Sequence, residues 1–294
     1  MSMFLDNPDK VGVIGLGIIG SRSAEVLRNA GYHVYVWNRS PKPEPNFLSS
    51  PGEVAQLAEV IQIFVTNGDA LLEVIDQMKD RLTKKHLIIN SSTIDPDSAK
   101  KAAAAVEATE AAFLDAPFTG SKLAAEKGAL VYYAGGDPKV LERARAVLET
   151  TAKEILYVGE VGDSAVIKIA TNMISAATVE ILSEAYALTV AAGIDPERLV
   201  EALEHNGCGS ALTAMKLPTM IAGDYEPHFS LKNMFKDAQF ALNLANRHRL
   251  DLPALSTTAS VMFKTIQKGL GESDYSVLAK NFPANTTDAP DKKA

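Results

Sequence analysis

The run Val11-Gly12-Val13-Ile14-Gly15-Leu16-Gly17-Ile18-Ile19-Gly20 constrains what this chain can fold into more than any other feature. A short β-branched stretch enters G-x-G-x-x-G, an amphipathic segment at Ile18–Asn29 follows, and a second β-branched run occupies His33–Trp37. Strand, glycine turn, helix and strand in this order open a doubly wound sheet that binds a dinucleotide. Gly15 permits the tight turn, Gly17 lets the backbone approach a pyrophosphate, and Gly20 lets helix and sheet pack closely. The free N–H groups at the helix start attract the anion. Residues Gly15 to Gly20, with Leu16, Ile18 and Ile19 between the glycines, are therefore the expected phosphate turn.

The end of the second strand chooses the cofactor. Chains that take NAD usually place Asp or Glu there, accepting hydrogen bonds from the adenosine ribose. This chain has Asn38-Arg39-Ser40. A carboxylate would repel a 2′-phosphate, whereas Arg39 can pair with one through its planar guanidinium and Asn38 and Ser40 can donate to it. NADP(H) is the expected cofactor. Thr66, just past a β-branched run at 61–65, is a further cofactor-side candidate, and the segment Pro41–Ser50 after Arg39 is short and proline-rich.

Further strands are expected at 86–89, 112–114 and 131–134, and helices at 51–59, 71–81 and 97–109. Such alternation implies a mostly parallel sheet covered on both faces, with ligands beyond the carboxyl ends of the strands. Near residue 160 the pattern changes. A stretch free of Pro and Gly runs from Asp163 to about Ala192, and helical spacing continues at 196–206, 212–221, 231–247 and 253–268. A helix of about 30 residues is roughly 45 Å long. The expected fold is α/β: an N-terminal Rossmann domain over residues 1–161, then an all-α domain over 162–294 that begins with a long interdomain helix. The tail from about residue 285 is expected to fray.

The bulk numbers exclude several function classes. The 294 residues are 47% hydrophobic and 22% charged, a globular composition. A net charge of −7 argues against a nucleic-acid surface, which needs a basic footprint. No apolar run is expected to cross a bilayer, and residues 1–10 lack a secretion-signal pattern. A single cysteine, Cys208, fits a reducing compartment, so a cytoplasmic location is expected. The five histidines show no metal-ligand spacing, and no metal is expected.

Two more segments carry chemistry. Asp115-Ala116-Pro117-Phe118-Thr119-Gly120-Ser121 follows a strand and so lies at the ligand-bearing edge. Gly159-Glu160-Val161-Gly162 then leads into the long helix, where Lys168 and Asn172 are four residues apart and share a face. With the glycine motif and a later Lys236-Asp237 pair, these segments in this order resemble the β-hydroxyacid dehydrogenase family over nearly the whole chain. Thr119-Gly120-Ser121-Lys122, Ala124-Ala125-Glu126 and Phe229-Ser230-Leu231-Lys232 look most like its glyoxylate and succinic semialdehyde reductase branch.

The resemblance implies hydride transfer between NADPH and a small aldehyde or keto acid, or oxidation of the matching hydroxy acid. Lys168 would be the general acid, since an ammonium stabilises a growing alkoxide before releasing its proton. Asn172 would hold Lys168 and the substrate oxygens, and Thr119 with the Gly120 N–H would bind the substrate carboxylate. Thr93, in Ser91-Ser92-Thr93 after a strand, would line the nicotinamide region. Phe229, Lys236 and Asp237 would come from the helical domain, with Lys236 on the cofactor side. A homodimer or homotetramer is also implied, and Phe118 and Phe235 are candidates for narrowing the pocket. Two other readings remain open: imine reduction on the same scaffold, and a non-catalytic NADP-binding interaction module. Lys168 counts against both.

Overall fold

The computed structural model describes residues 9–282, so the expected fraying of the tail and the reading of residues 1–8 lie outside the described residues. By its internal contacts the chain divides into two compact units, with the division after Ile169. The sequence had suggested 161/162, at the helix start.

The first unit is built on an eight-stranded sheet. Its strands are β1 (Lys10–Ile14), β2 (His33–Trp37), β3 (Val60–Ile63), β4 (Leu87–Asn90), β5 (Ala112–Asp115), β6 (Phe118–Thr119), β7 (Leu130–Gly135) and β8 (Ala152–Gly159). The order β2-β1-β3-β4-β5 is parallel throughout, with β1 pairing both β2 and β3. Strand β7 runs antiparallel to β5 and β6 and parallel to β8.

Both faces of this sheet are buried, which is what its nearly continuous apolar strands require. Val11, Val13, Val60, Leu87 and Ile89 point into one core with Leu27, Tyr132 and Leu148. Their neighbours Ile14, Ile61, Ile63 and Ile88 point into the other, with Val54, Leu71, Ile75 and Met78. Gly12 takes its place on the second face, where a Cβ would sit 2.5 Å from Val54 Cγ1. Buried polar groups interrupt the first core: Gln62 donates to Ser91 Oγ at 2.9 Å and to Tyr132 OH at 3.1 Å, and Tyr132 OH also bonds Thr151 Oγ1 at 2.9 Å.

All but the first of the covering helices begin where the sequence supplies a side-chain cap. They are α1 (Ile18–Asn29), α2 (Pro51–Leu57), α3 (Gly68–Met78), α4 (Pro96–Glu107), α5 (Lys122–Glu126) and α6 (Pro138–Thr151). Ser50, Asn67, Asp95, Ser121 and Asp137 each accept a backbone N–H of the turn that follows. That bond satisfies a donor the helix cannot pair internally. Residues 135–160 carried no expected elements, yet they hold α6 and β8. The Asp137-Pro138 start of α6 is an ordinary helix signal. Strand β8 hides its character because its residues are mostly half-buried or exposed, and Lys153 and Glu154 break the apolar alternation.

Helix α7 (Asp163–Ala191) runs for 29 residues, as expected from its lack of Pro and Gly. The expectation that nothing here is long and apolar enough for a bilayer needs correction. By length and composition α7 qualifies, with a mean hydropathy of 1.5 over its best window, 44% of which is buried in protein. The second unit continues with α8 (Glu197–Glu204), α9 (Ala211–Ala222), α10 (Leu231–Arg247) and α11 (Pro253–Thr265), and 3-10 turns span Tyr275–Asn281. Its core includes Val179, Leu182, Leu217, Met220, Leu231, Met234, Met262 and Leu278.

Candidate active site

The glycine turn joins β1 to α1 as its spacing requires. Gly15 has φ of +93°, and a Cβ there would overlap the Phe64 carbonyl oxygen. A Cβ on Gly20 would overlap the Gly15 carbonyl, so Gly20 brings the helix against the turn itself. Gly17 is different. A Cβ there meets no protein atom within 4 Å, so packing does not demand this glycine. Close approach of a ligand phosphate to the backbone would, and the turn fits a dinucleotide on that ground. Leu16 is buried, Ile19 half-buried and Ile18 exposed at the start of α1.

The end of β2 supports the turn from the side. Asn38 Oδ1 accepts the Leu16 N–H at 2.9 Å, and its Nδ2 donates to the Ser40 carbonyl at 2.8 Å. Asn38 thus braces the phosphate turn, a task its position in the sequence did not reveal. Arg39 and Ser40 are exposed beside it. Lys42, which the sequence did not single out, donates to the Leu16 carbonyl. The proline-rich segment folds back along β2: Val36 donates to Asn46 O and Leu48 to Val36 O. It covers part of an otherwise open strand edge. Thr66 is exposed past the end of β3, and Thr93 is half-buried past the end of β4.

A second constellation belongs to the same unit. Lys168 is 7% exposed, and its Nζ lies 6.0 Å from the centre of the Phe118 ring. Phe118 in turn packs between Phe64 and Tyr132, at 6.0 Å and 6.3 Å. Phe118, a candidate for narrowing the pocket, thus presents an apolar ring beside the ammonium. Thr119 is half-buried and Gly120 exposed, with φ of +141°. Asp115 closes β5 fully buried, accepting Asn90 Nδ2 at 2.8 Å and Ser164 Oγ at 2.6 Å. Burial pushes its carboxyl above the ordinary range, against the pull of these donors.

In the helical unit, Asn172 Nδ2 donates to Asp237 Oδ2 at 2.7 Å, and Lys236 Nζ lies 2.9 Å from Asp237 Oδ1. The expected residues Asn172, Lys236 and Asp237 thus form one cluster, with Lys236 also 4.9 Å from the centre of the Phe240 ring. Phe229 packs edge-on to Tyr275 at 6.3 Å. Phe235 stacks on Phe263 at 5.8 Å.

The strongest polar feature of this unit was not foreseen. Lys216 and Asp274, each 4% exposed, pair at 2.6 Å, and Asp274 also accepts the N–H groups of His228, Phe229 and Ser276. Burial acts to raise its carboxyl, but Lys216 and these donors hold it below the ordinary range. The pair fixes the backbone entering α10, including Phe229. Its members are 58 residues apart in sequence, and nothing local links them. Among the described residues no cluster of His, Cys, Asp and Glu could hold a metal.

A glycine turn at the carboxyl edge of a parallel sheet, with a buried lysine in the same unit, defines the class: an NAD(P)-dependent oxidoreductase. Comparison with known proteins supports that class. Residues 10–159 match the NAD binding domain of 6-phosphogluconate dehydrogenase. Residues 162–282 match the family described as NAD-binding of NADP-dependent 3-hydroxyisobutyrate dehydrogenase. Glyoxylate/succinic semialdehyde reductase 2, chloroplastic, of Arabidopsis thaliana is 30% identical over 93% of this chain and 79% of its own length. The 2-hydroxy-3-oxopropionate reductase of Escherichia coli is 30% identical over 92% of this chain and 96% of its own. A solved 3-hydroxyisobutyrate dehydrogenase from Salmonella typhimurium superposes with a TM-score of 0.84 at 25% identity, covering 93% of this chain and 99% of that one. The chain belongs to the β-hydroxyacid dehydrogenase family, whose members here are NAD(P)-dependent dehydrogenases and reductases of small hydroxy acids and aldehydes.

Proposed function

We propose that this chain reduces the carbonyl of a small aldehyde or keto acid with NADPH, of the glyoxylate or succinic semialdehyde kind, and catalyses the reverse oxidation of the hydroxy acid. Lys168 carries the reading. A lysine only 7% exposed, with its Nζ beside the Phe118 ring, is a buried amine of the kind that serves as general acid and base. In reduction, Lys168 Nζ holds the proton and passes it to the carbonyl oxygen as negative charge develops there. When bound, the nicotinamide supplies the hydride. Thr119 and the Gly120 N–H are suited to the substrate carboxylate, and Asn172, oriented by Asp237, to a substrate oxygen.

The preference for NADP(H) over NAD(H) rests on Asn38-Arg39-Ser40, where no carboxylate stands to repel a 2′-phosphate. A homodimer or homotetramer is part of this reading. Exposed Ile174, Ile181 and Leu188, seven residues apart along α7, are apolar surface that a second copy would cover.

The test follows NADPH and NADH oxidation with glyoxylate, succinic semialdehyde, longer aldehydes and a cyclic imine, using wild type, Lys168→Ala and Arg39→Ala. The expected result is NADPH-driven aldehyde turnover that falls by 10² or more in Lys168→Ala, and a preference for NADPH that fades in Arg39→Ala. Imine turnover surviving loss of Lys168 would favour imine reduction. NADPH binding with no turnover of any substrate would favour a non-catalytic module.

A further inference from the structure

Asp115 sits where three segments of the proposed site meet. It is the last residue of β5 and fully buried, and every partner it has is a donor. Asn90, the last residue of β4, donates to Oδ1 at 2.8 Å, and Ser164 Oγ donates to Oδ2 at 2.6 Å. The backbone N–H groups of Gly162 and Ala165 point to the same carboxylate. Gly162, Ser164 and Ala165 straddle the start of α7, so Asp115 satisfies N–H groups that the first turn cannot pair internally. A negative charge there also complements the helix dipole.

The network continues beyond the aspartate. Asn90 Oδ1 accepts the Ser92 N–H at 3.0 Å, which orients the Asn90 amide toward Asp115. Ser91-Ser92-Thr93, the Asp115–Gly120 segment and the first turn of α7 are therefore joined through one buried side chain. Lys168 lies four residues beyond Ser164, one helical turn along the same face. Space for the grip is made by Gly135 at the end of β7. A Cβ there would lie 2.8 Å from Ser164 Oγ and 2.5 Å from the Glu160 carbonyl oxygen.

We infer that Asp115 is a positioning residue for Lys168: by holding the first turn of α7 to the ends of β4 and β5, it sets where the ammonium stands relative to Thr93, Phe118 and Thr119. This rests on the proposed role of Lys168. Displacing a reacting group by about 1 Å can cost on the order of 10²-fold in rate, so the grip has a large effect to exert without touching substrate. Asparagine is not equivalent to aspartate here. Its amide would present N–H to one of four donors.

The test compares Asp115→Asn, Ser164→Ala, Ser164→Thr and Lys168→Ala in the full chain. Read for each are kcat and KM with the best aldehyde, NADPH Kd by fluorescence titration, and thermal midpoint. Ser164→Ala is expected to fold and to lose about tenfold or more in kcat, with NADPH Kd and aldehyde KM within twofold of wild type. Ser164→Thr, which restores the hydroxyl, is expected to recover most of the loss, and Asp115→Asn to lose more than Ser164→Ala. Should Asp115→Asn fail to fold, the two Ser164 variants decide. A folded Ser164→Ala with kcat within twofold of wild type overturns the inference, as does a loss matched by weaker NADPH binding. Lys168→Ala keeps the two ideas apart. If it turns over as wild type does, the proposed function fails and takes this inference with it. If it is inactive while the Asp115 and Ser164 variants are not, only the inference fails.

Discussion

Asp115 in the sheet unit and Asp274 in the helical unit are both buried carboxylates that tie a loop to the start of a helix, yet different chemistry holds each. Asp274 faces a full countercharge, Lys216, at 2.6 Å, together with three backbone donors. Asp115 has only dipoles: an amide, a hydroxyl and two backbone N–H groups. The consequence shows in their opposite shifts, with Asp274 held below the ordinary carboxylate range and Asp115 pushed above it. Dipoles can orient a helix end at the cost of keeping a charge desolvated, whereas a countercharge makes the anion the favoured state. Asp115 holds Ser164, one helical turn before the proposed proton donor, and a lysine as its partner there would compete with Lys168. Asp274 belongs to the helical unit, where its countercharge holds the backbone that enters α10.

The largest effect should come from breaking the ion pair. Lys216→Met leaves Asp274 buried without its countercharge and is expected to cost about 3–5 kcal/mol in chemical denaturation. The acid limbs should also differ in sign. The folded pKa of Asp274 is depressed, so its contribution is present above the ordinary carboxylate value of 3.8 and is lost as pH falls through the folded value. The folded pKa of Asp115 is raised, so its ionisation weakens the native state as pH rises. The stability gap between wild type and Asp274→Asn should close in acid, and that between wild type and Asp115→Asn should widen. Parallel gaps would sink the comparison.

Glu180 on α7 sharpens it with a carboxylate that has neither kind of partner. Both its oxygens lack hydrogen bonds, and burial, aided by Glu184, pushes it up to about 7. The native state therefore holds the Glu180 proton more tightly than the unfolded chain, and stability falls as pH rises from about 5 through 7. Glu180→Gln is expected to stabilise the protein by about 1–2 kcal/mol at pH 8, after allowance for solvent screening, and to match wild type near pH 5. Thermal midpoints across that range decide it, and a constant offset would refute the assignment.

The smallest effect on stability should be at Gly17. Gly17→Ala meets no protein atom and should shift the thermal midpoint by no more than a degree or two, while Gly15→Ala forces a Cβ into the Phe64 carbonyl at positive φ and should unfold readily. If Gly17 is glycine for the ligand, Gly17→Ala should nevertheless weaken NADPH binding severalfold or more. An unchanged Kd would detach Gly17 from the phosphate turn.

Much of this protein was legible from local pattern. β-Branched runs and the glycine spacing specify β1, α1 and β2, because tight turns and two-sided burial restrict the residue types allowed at each position. A run without Pro or Gly specifies α7, and the Arg39 segment and Lys168 stand out by residue type against their neighbours. Strand β8 stayed hidden because its exposed residues give up the apolar alternation. What the sequence by itself determined, then, is the elements whose reason is local: turn sterics and helix periodicity. Only the tertiary structure decided that Asn38 braces the phosphate turn, that Asp115 grips Ser164 from 49 residues away, and that Lys216 neutralises Asp274. A buried polar group must find partners wherever the fold brings them, and no sequence spacing records that choice.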